Sequence, residues 1–235
     1  IRRPPRSTQG VSSAASDVYK RQAYGYFQYL FFYWLGYYFK EVLAILAPQA
    51  RWANTWIMLT MGVGMAVGGR LTDLASHRWG VVRGRRTVVI VGMGLGAILG
   101  LAGVGASSIV ANLPSLGLDD HVFLVTSICL ALSMASVGMC EGVFWTTSTD
   151  IGRGAGGTSG AFMNTGGNIG GLIAPVLTPF VADKVKASYG EEAGWQVAIG
   201  LACVVSAVGG LIWLWIVPPT GDTTSDENGQ VPAPP

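Results

Sequence analysis

The sequence contains few charged residues. Asp, Glu, Lys and Arg make up 12% of its 235 residues, whereas charged residues make up about 25% of an average soluble domain. Hydrophobic residues account for 50% of the chain, and 34 residues are Gly. A chain with so little charge and so much glycine is typical of a protein that lies in a lipid bilayer.

Cysteine and histidine are also scarce, which limits the disulfide bonds and metal sites that the chain can form. The three cysteines, Cys129, Cys140 and Cys203, lie inside apolar runs, and none has metal-ligand spacing with either of the two histidines. We therefore expect no disulfide framework, no metal site and no cofactor. The net charge of +2, without basic residues interleaved with aromatic ones, does not indicate a nucleic-acid partner.

Six apolar windows approach the length of about 20 residues that a helix needs to cross the hydrocarbon core. They cover residues 24–46, 54–69, 87–105, 122–147, 160–182 and 194–217. The windows predict an all-α membrane protein in which residues 23–217 form one domain of six transmembrane helices, surrounded by lipid.

The distribution of Lys and Arg predicts the orientation of these helices. The segment between the second and third windows carries five arginines, whereas the segment between the third and fourth carries none. Because cytoplasmic loops are enriched in Lys and Arg, we place the arginine-rich segment in the cytoplasm. Six spans then put both termini in the cytoplasm, in a multi-pass protein of the cell (inner) membrane.

The arginine-rich segment, GGRLTDLASHRWGVVRGRR, is a candidate cytoplasmic gating loop. Gly69 would allow a tight exit from the second helix, and Asp73 could cap a helix or pair with an arginine. Arg85 and Arg86 open the third helix. An ordinary cytoplasmic loop with an excess of positive charge explains the same residues equally well.

Two asparagines mark the fifth window. Asn164 and Asn168 are four residues apart, so their amides share one helix face inside an apolar segment. That face must meet a polar cavity or another helix, because unpaired amides are costly in hydrocarbon. Pro175 and Pro179 follow on the same helix, where we expect a hinge.

The first window carries a stripe of tyrosines at helical spacing, Tyr26, Tyr29, Tyr33 and Tyr37. An aromatic belt would concentrate at the ends of a span, whereas this stripe runs through its middle, which favours a cavity wall over plain packing. Glu141 lies well inside the fourth window. Such an acid is a candidate functional residue, although it could also pair locally.

Two of these motifs resemble a known family. Gly69-x-Leu71-x-Asp73, followed by Gly84-Arg85-Arg86, resembles the cytoplasmic loop signature of the major facilitator superfamily. The stretch FWTTSTDIGRGAGGTSGAFMNTGGNIGGLIAPVL resembles more specifically the anion:cation symporter family. The matching positions are Trp145, Thr149-Asp150, Asn164, Gly167-Asn168-x-Gly170-Gly171 and Pro175.

The resemblance implies the C-terminal half of a transporter that couples H+ or Na+ to the uptake of small organic anions, such as hexuronates, aldonates or aldarates. It implies that the main substrate-binding arginine and the coupling acids lie in a missing N-terminal six-helix half. We expect Trp145, the two asparagines and the tyrosine stripe to line one cavity that faces that half. Since no Lys or Arg is predicted in this cavity, the missing half would hold the charge of the anion.

The two ends of the chain differ from the rest in composition. Residues 1–22 resemble translated sequencing-adapter strings, so we expect a non-native, disordered leader without tertiary contacts. Residues 218–235 are rich in Pro, Asp, Glu and Thr, and we expect a disordered cytoplasmic tail.

Two other functions fit parts of the sequence. A six-span subunit could work as a dimer, as a half-permease or a scaffold, through glycine-rich helix faces. An intramembrane serine protease is suggested by Gly157-Thr158-Ser159-Gly160, but a nucleophilic serine needs a histidine within hydrogen-bond reach. His121 is expected on the opposite membrane face, and His77 could reach Ser159 only by an unusual loop excursion.

Overall fold

The computed structural model describes residues 8–112, 121–152 and 155–215, and in these ranges the chain is helical without any strand. The helices are α1 (Thr8–Tyr37), α2 (Ala47–Trp79), α3 (Val81–Val104), α4 (Ala106–Asn112), α5 (Val122–Gly138), α6 (Glu141–Gly152), α7 (Gly156–Tyr189) and α8 (Glu191–Ile212). A π-helical turn follows α1, and α5 and α6 form one rod with a break at Met139 and Cys140. The predicted all-α class is confirmed.

Four helical segments in the described ranges are long and apolar enough to cross a membrane. They are Val81–Val104, Val122–Gly152, Gly156–Tyr189 and Glu191–Trp215. All six predicted windows fall on helices, but α1 and α2 are not among these four. The short helix α4 lies where the sequence predicted a loop. With α5 and α6 counted as one rod, it brings the helical rods of the described ranges to seven. The count of six spans therefore stays a prediction.

Glycine faces bring the helices close together. The most extensive contact joins α1 and α7, where a Cβ at Gly25 would fall on the carbonyl oxygen of Gly167. Between α2 and α5, a Cβ at Gly64 would fall on the carbonyl oxygen of Ala135. Small residues of this kind allow helix backbones to pack against each other in a membrane, where no hydrophobic effect drives association.

The candidate gating loop is mostly helical, which corrects the sequence prediction. Helix α2 continues to Trp79, so Gly69 and Asp73 lie within it rather than at its exit. The chain reverses at Gly80, whose φ of 82° is a conformation that favours glycine. Arg85 and Arg86 lie in the first turns of α3. The turn thus depends on a glycine eleven residues beyond the predicted one.

The expected leader is also structured in part. Helix α1 begins at Thr8, so the prediction of disorder is wrong for residues 8–22. The first seven residues and the predicted tail, 218–235, lie outside the described residues.

Two adjacent glycines of α2 provide a test of close packing. A Cβ at Gly68 would enter the backbone of Met139, whereas a Cβ at Gly69 would meet no atom within 4 Å. We expect Gly68→Ala to destabilise the protein by about 1–3 kcal/mol through overpacking. Gly69→Ala should be neutral or should stabilise it by up to about 1 kcal/mol through helix propensity. Thermal unfolding in detergent measures the stability of both variants. Equal unfolding midpoints would contradict the close packing of α2 against the rod formed by α5 and α6.

The predicted orientation can be tested across α3. Arg78 precedes this 24-residue helix and Ser108 follows it, and both are exposed. At 1.5 Å per residue the helix is long enough to separate them by the thickness of a membrane. In a cysteine-free background, Arg78→Cys should react with an impermeant thiol reagent only from the cytoplasm and Ser108→Cys only from outside. Labelling of both from one side would refute this topology.

Candidate functional site

A polar stripe runs along one face of α7. Gly160, Asn164 and Asn168 are spaced by four residues, and Gly167 and Gly171 each lie three residues after one of the asparagines, so all five share this face. Helices α1 and α6 pack against α7. Because the glycines have no side chains, larger groups of α1 and α6 lie directly over the stripe.

Tyr29 lies at one end of the stripe. Its hydroxyl donates a hydrogen bond of 3.3 Å to Oδ1 of Asn168, and a Cβ at Gly171 would lie 2.8 Å from its ring. The ring of Tyr33 stacks on that of Tyr29 with centroids 6.2 Å apart. Asn168 and Tyr33 are exposed. This end of the stripe therefore offers an amide and two phenol groups to an open surface.

Trp145 lies at the other end of the stripe. A Cβ at Gly160 would lie 3.2 Å from the edge of the indole, so the ring covers that glycine. The side chain is 41% exposed. Its Nε1 donates a hydrogen bond of 2.9 Å to Oε1 of Glu141, one turn earlier on α6.

Glu141 is paired with a buried arginine. The two guanidinium nitrogens of Arg21 donate to its two carboxylate oxygens at 2.7 and 2.6 Å. The side chains of Arg21 and Glu141 are only 8% and 17% exposed. The guanidinium also lies 4.5 Å from the ring centroid of Tyr24 and 5.4 Å from that of Phe144. A bidentate pair of this kind is strong and has a defined geometry.

This pair corrects two predictions. The site was expected to lack a buried Lys or Arg, yet the stem of Arg21 lies over Gly167, next to the asparagines. The leader was expected to lack tertiary contacts, yet Arg21 contacts both α6 and α7. The missed signal was Glu141 itself, because an acid inside an apolar span needs a cationic partner.

The tyrosine stripe is divided by the structure. Tyr29 and Tyr33 lie beside Asn168, whereas Tyr26 is buried, with its hydroxyl near that of Thr178 on α7. Gly170 brings α7 against the backbone of Tyr26, which accounts for this burial. Tyr37 lies at the far end of α1, where its hydroxyl is 3.4 Å from Oε1 of Glu191.

An open cleft of about 510 Å³ between α1 and α2 was not predicted from the sequence. Its lining includes Gln28, Phe32 and Asn54, and Phe32 contacts the ring of Tyr29 at 5.7 Å between centroids. Oδ1 of Asn54 is buried without a hydrogen-bond partner among the described residues. The cleft therefore extends the surface around Tyr29 and adds an amide to it.

The gating residues are separated from this stripe. Arg85 forms an ion pair of 2.6 Å with Asp150, which joins the start of α3 to the end of α6. Asp73 is exposed and forms no hydrogen bond or ion pair within the described ranges, whereas Arg86 is partly buried. Helix α7 continues through Pro175 and Pro179, so the hinge at these residues stays a prediction.

Within the described ranges, Ser159 forms no hydrogen bond with a histidine. Its hydroxyl lies 3.1 Å from that of Ser148, at the junction of α6 and α7. Neither residue can act as a general base at neutral pH, so this contact does not provide the pair that a serine protease requires.

Comparison with known proteins agrees with the helical fold. The sequence model described as Major Facilitator Superfamily matches residues 23–235. The probable sulfoacetate transporter SauU of Cupriavidus necator is 27% identical to this chain over 209 residues, which cover 88% of the chain and 44% of the relative. The chain thus spans less than half the length of this relative. It belongs to the Major Facilitator Superfamily, a family of transporters and not of enzymes.

Proposed function

We propose that this chain is the C-terminal half of a secondary active transporter that carries small organic anions together with H+ or Na+. The observation that supports this proposal best is the polar stripe of α7, where Asn164 and Asn168 lie between Trp145 of α6 at one end and Tyr29 of α1 at the other. The amides can both donate and accept hydrogen bonds, and the phenol oxygen of Tyr29 can accept, whereas the indole N–H of Trp145 is donated to Glu141.

This set of groups suits a small polar anion. Amide and hydroxyl groups can bind both the anionic end and the hydroxyl groups of a sugar acid, whereas the indole can cover an apolar face of the same molecule. The relative named as a probable sulfoacetate transporter suggests that a short acid with a sulfonate group is a second candidate. Both candidates are small organic anions, and both belong to this proposal.

The proposal includes a second, N-terminal half of the transporter. Tyr33, Phe32 and Leu59 are exposed by 46–58%, and together with the open cleft they form a surface between α1 and α2. An apolar surface of this extent needs a partner or lipid. A missing N-terminal six-helix half would cover it and would supply the opposite wall of the substrate cavity. The length of the relative, which exceeds twice the matched region, supports this arrangement.

The asparagines provide the test of this site. Residues 23–217 would be fused to the N-terminal half of the relative, and uptake of labelled sulfoacetate and of labelled sugar acids would be measured in cells. We expect Asn164→Ala or Asn168→Ala to lower uptake efficiency roughly tenfold to hundredfold, because a hydrogen bond to a charged group contributes about 1.5–3 kcal/mol. The amount of protein in the membrane should not change.

Asn112→Ala is the matched control. Asn112 lies on α4, where its amide donates a hydrogen bond of 2.8 Å to the carbonyl oxygen of Ser108, and this variant should transport normally. If both α7 variants transport as well as Asn112→Ala, the two amides serve only in packing between helices, and the proposed substrate site is wrong.

A further inference from the structure

A second open cleft, of about 390 Å³, lies between the start of α3 and the end of α8. It is lined by Trp79, Arg83, Arg86, Thr87, Ile90 and Leu214. It shares no residue with the cleft between α1 and α2 or with the polar stripe of α7. Among the described residues that line it, none is acidic. The cleft thus combines positive charge with an apolar wall, and it has no part in the proposed anion site.

The positive charge lies at one end of this cleft. Arg83, Thr87 and Ile90 share one face of α3, and Ile90 lies about 10 Å farther along the helix than Arg83. Arg83 is exposed, and within the described ranges its guanidinium forms no hydrogen bond or ion pair. Arg86, one turn later, adds a second positive charge to the wall. Guanidinium groups bind phosphate through paired hydrogen bonds, so this end of the cleft suits a phosphate group.

An apolar seam continues from the cleft between α3 and α8. The two helices approach each other closely along it, since a Cβ at Gly210 would lie 3.8 Å from Cα of Ile90, and one at Gly200 would lie 3.5 Å from the side chain of Leu101. The side chains that border the seam are exposed by 45–64%: Val91, Ile98 and Leu101 on α3, and Val204 and Leu211 on α8.

The length of this seam matches one leaflet of a bilayer. From Ile90 to Leu101 the helix rises by about 16 Å, and half of the hydrocarbon core of a membrane is about 15 Å thick. An acyl chain could therefore lie along the seam while its head group stays at the arginines. A soluble anion would make no use of these apolar side chains.

Two tryptophans place the cleft at the level of the lipid head groups. Trp79 is 50% exposed at the end of α2, and Trp215 is 77% exposed just beyond Leu214. Tryptophan is enriched where a membrane meets water, because its ring is apolar and its N–H is polar. The arginines of the cleft thus lie at the depth where phosphate groups of lipids are found.

We propose that this cleft binds an anionic glycerophospholipid. Its phosphate lies at Arg83 and Arg86, and one acyl chain follows the seam between α3 and α8. Basic pockets between transmembrane helices bind anionic head groups in this way. The site does not depend on the substrate of the transporter or on its second half.

The C-terminal segment of the chain is a poorer occupant. Residues 218–235 contain three acids, Asp222, Asp226 and Glu227, which could pair with arginines. Val231 is the one large aliphatic residue in this segment. The segment therefore offers charge for the arginines but no apolar run for the seam, whereas a phospholipid offers both.

Native mass spectrometry of the full chain, purified in detergent, tests the inference. Binding of phosphatidylglycerol would be compared with that of phosphatidylcholine with the same acyl chains. The first phosphatidylglycerol should bind about tenfold more tightly, because each arginine near an anionic head group contributes severalfold to the affinity. Arg83→Gln combined with Arg86→Gln should reduce this preference to about twofold or less.

Arg70→Gln combined with Arg78→Gln is the matched control. It removes two positive charges from the same segment, at exposed residues that do not line the cleft, and it should keep the preference. Equal loss in the two double variants would attribute binding to general surface charge and overturn the inference. If circular dichroism shows that the cleft variant has lost helix, Arg83→Gln alone takes its place, since Arg83 is exposed.

Two further arms identify the occupant. Inorganic phosphate in large excess should not displace phosphatidylglycerol, and displacement would show a site for soluble anions instead. Replacement of Asp222 and Asp226 by Asn and of Glu227 by Gln should leave the affinity for the lipid unchanged. A severalfold gain in that variant would show that the C-terminal segment occupies the arginines, and it would contradict a lipid site.

Discussion

The structure depends on the absence of side chains along one face of α7. Gly160, Gly167 and Gly171 leave room for the indole of Trp145, the stem of Arg21 and the ring of Tyr29. In a bilayer, helices gain no hydrophobic free energy by associating, so close van der Waals contact and hydrogen bonds must hold them together. The glycines permit both, and they place the polar groups of α1 and α6 beside Asn164 and Asn168.

The same packing concentrates polar groups where the bundle is open. Tyr29 donates to Asn168 on one side, and Trp145 donates to Glu141 on the other. Between them the stripe has an exposed surface rather than a closed core. A helix pair held only by packing would bury its amides, whereas here Asn168 is exposed and Asn164 is half-buried. This arrangement favours a binding surface over a purely structural pair of amides.

The buried ion pair of Arg21 and Glu141 joins α1 to α6 beside the proposed binding surface. Removing one member of a buried pair costs about 3–5 kcal/mol when the other charge remains. Trp145 contacts both Glu141 and the stripe of α7, so the pair also helps to fix the indole at the place where we propose that the anion binds.

Several features follow from the sequence alone. The low charge and the long apolar windows predict an all-helical membrane protein, because backbone groups in hydrocarbon must be satisfied within each helix. The motifs around Asp73 and Asn168 indicate the superfamily, and the spacing of Asn164 and Asn168 places both amides on one face of α7. These properties are local, so a single helix or a short motif carries them.

Other features were decided by the tertiary structure. The sequence could not separate Tyr26 from Tyr29, because both fit one helical stripe, and only the approach of α7 at Gly170 buries the first of them. It could not pair Glu141 with Arg21, which lies 120 residues away, nor Arg85 with Asp150. It also placed the turn after α2 at Gly69 instead of Gly80. In each case the deciding contact joins residues that are distant in the chain, and neither periodicity nor composition encodes which helices meet.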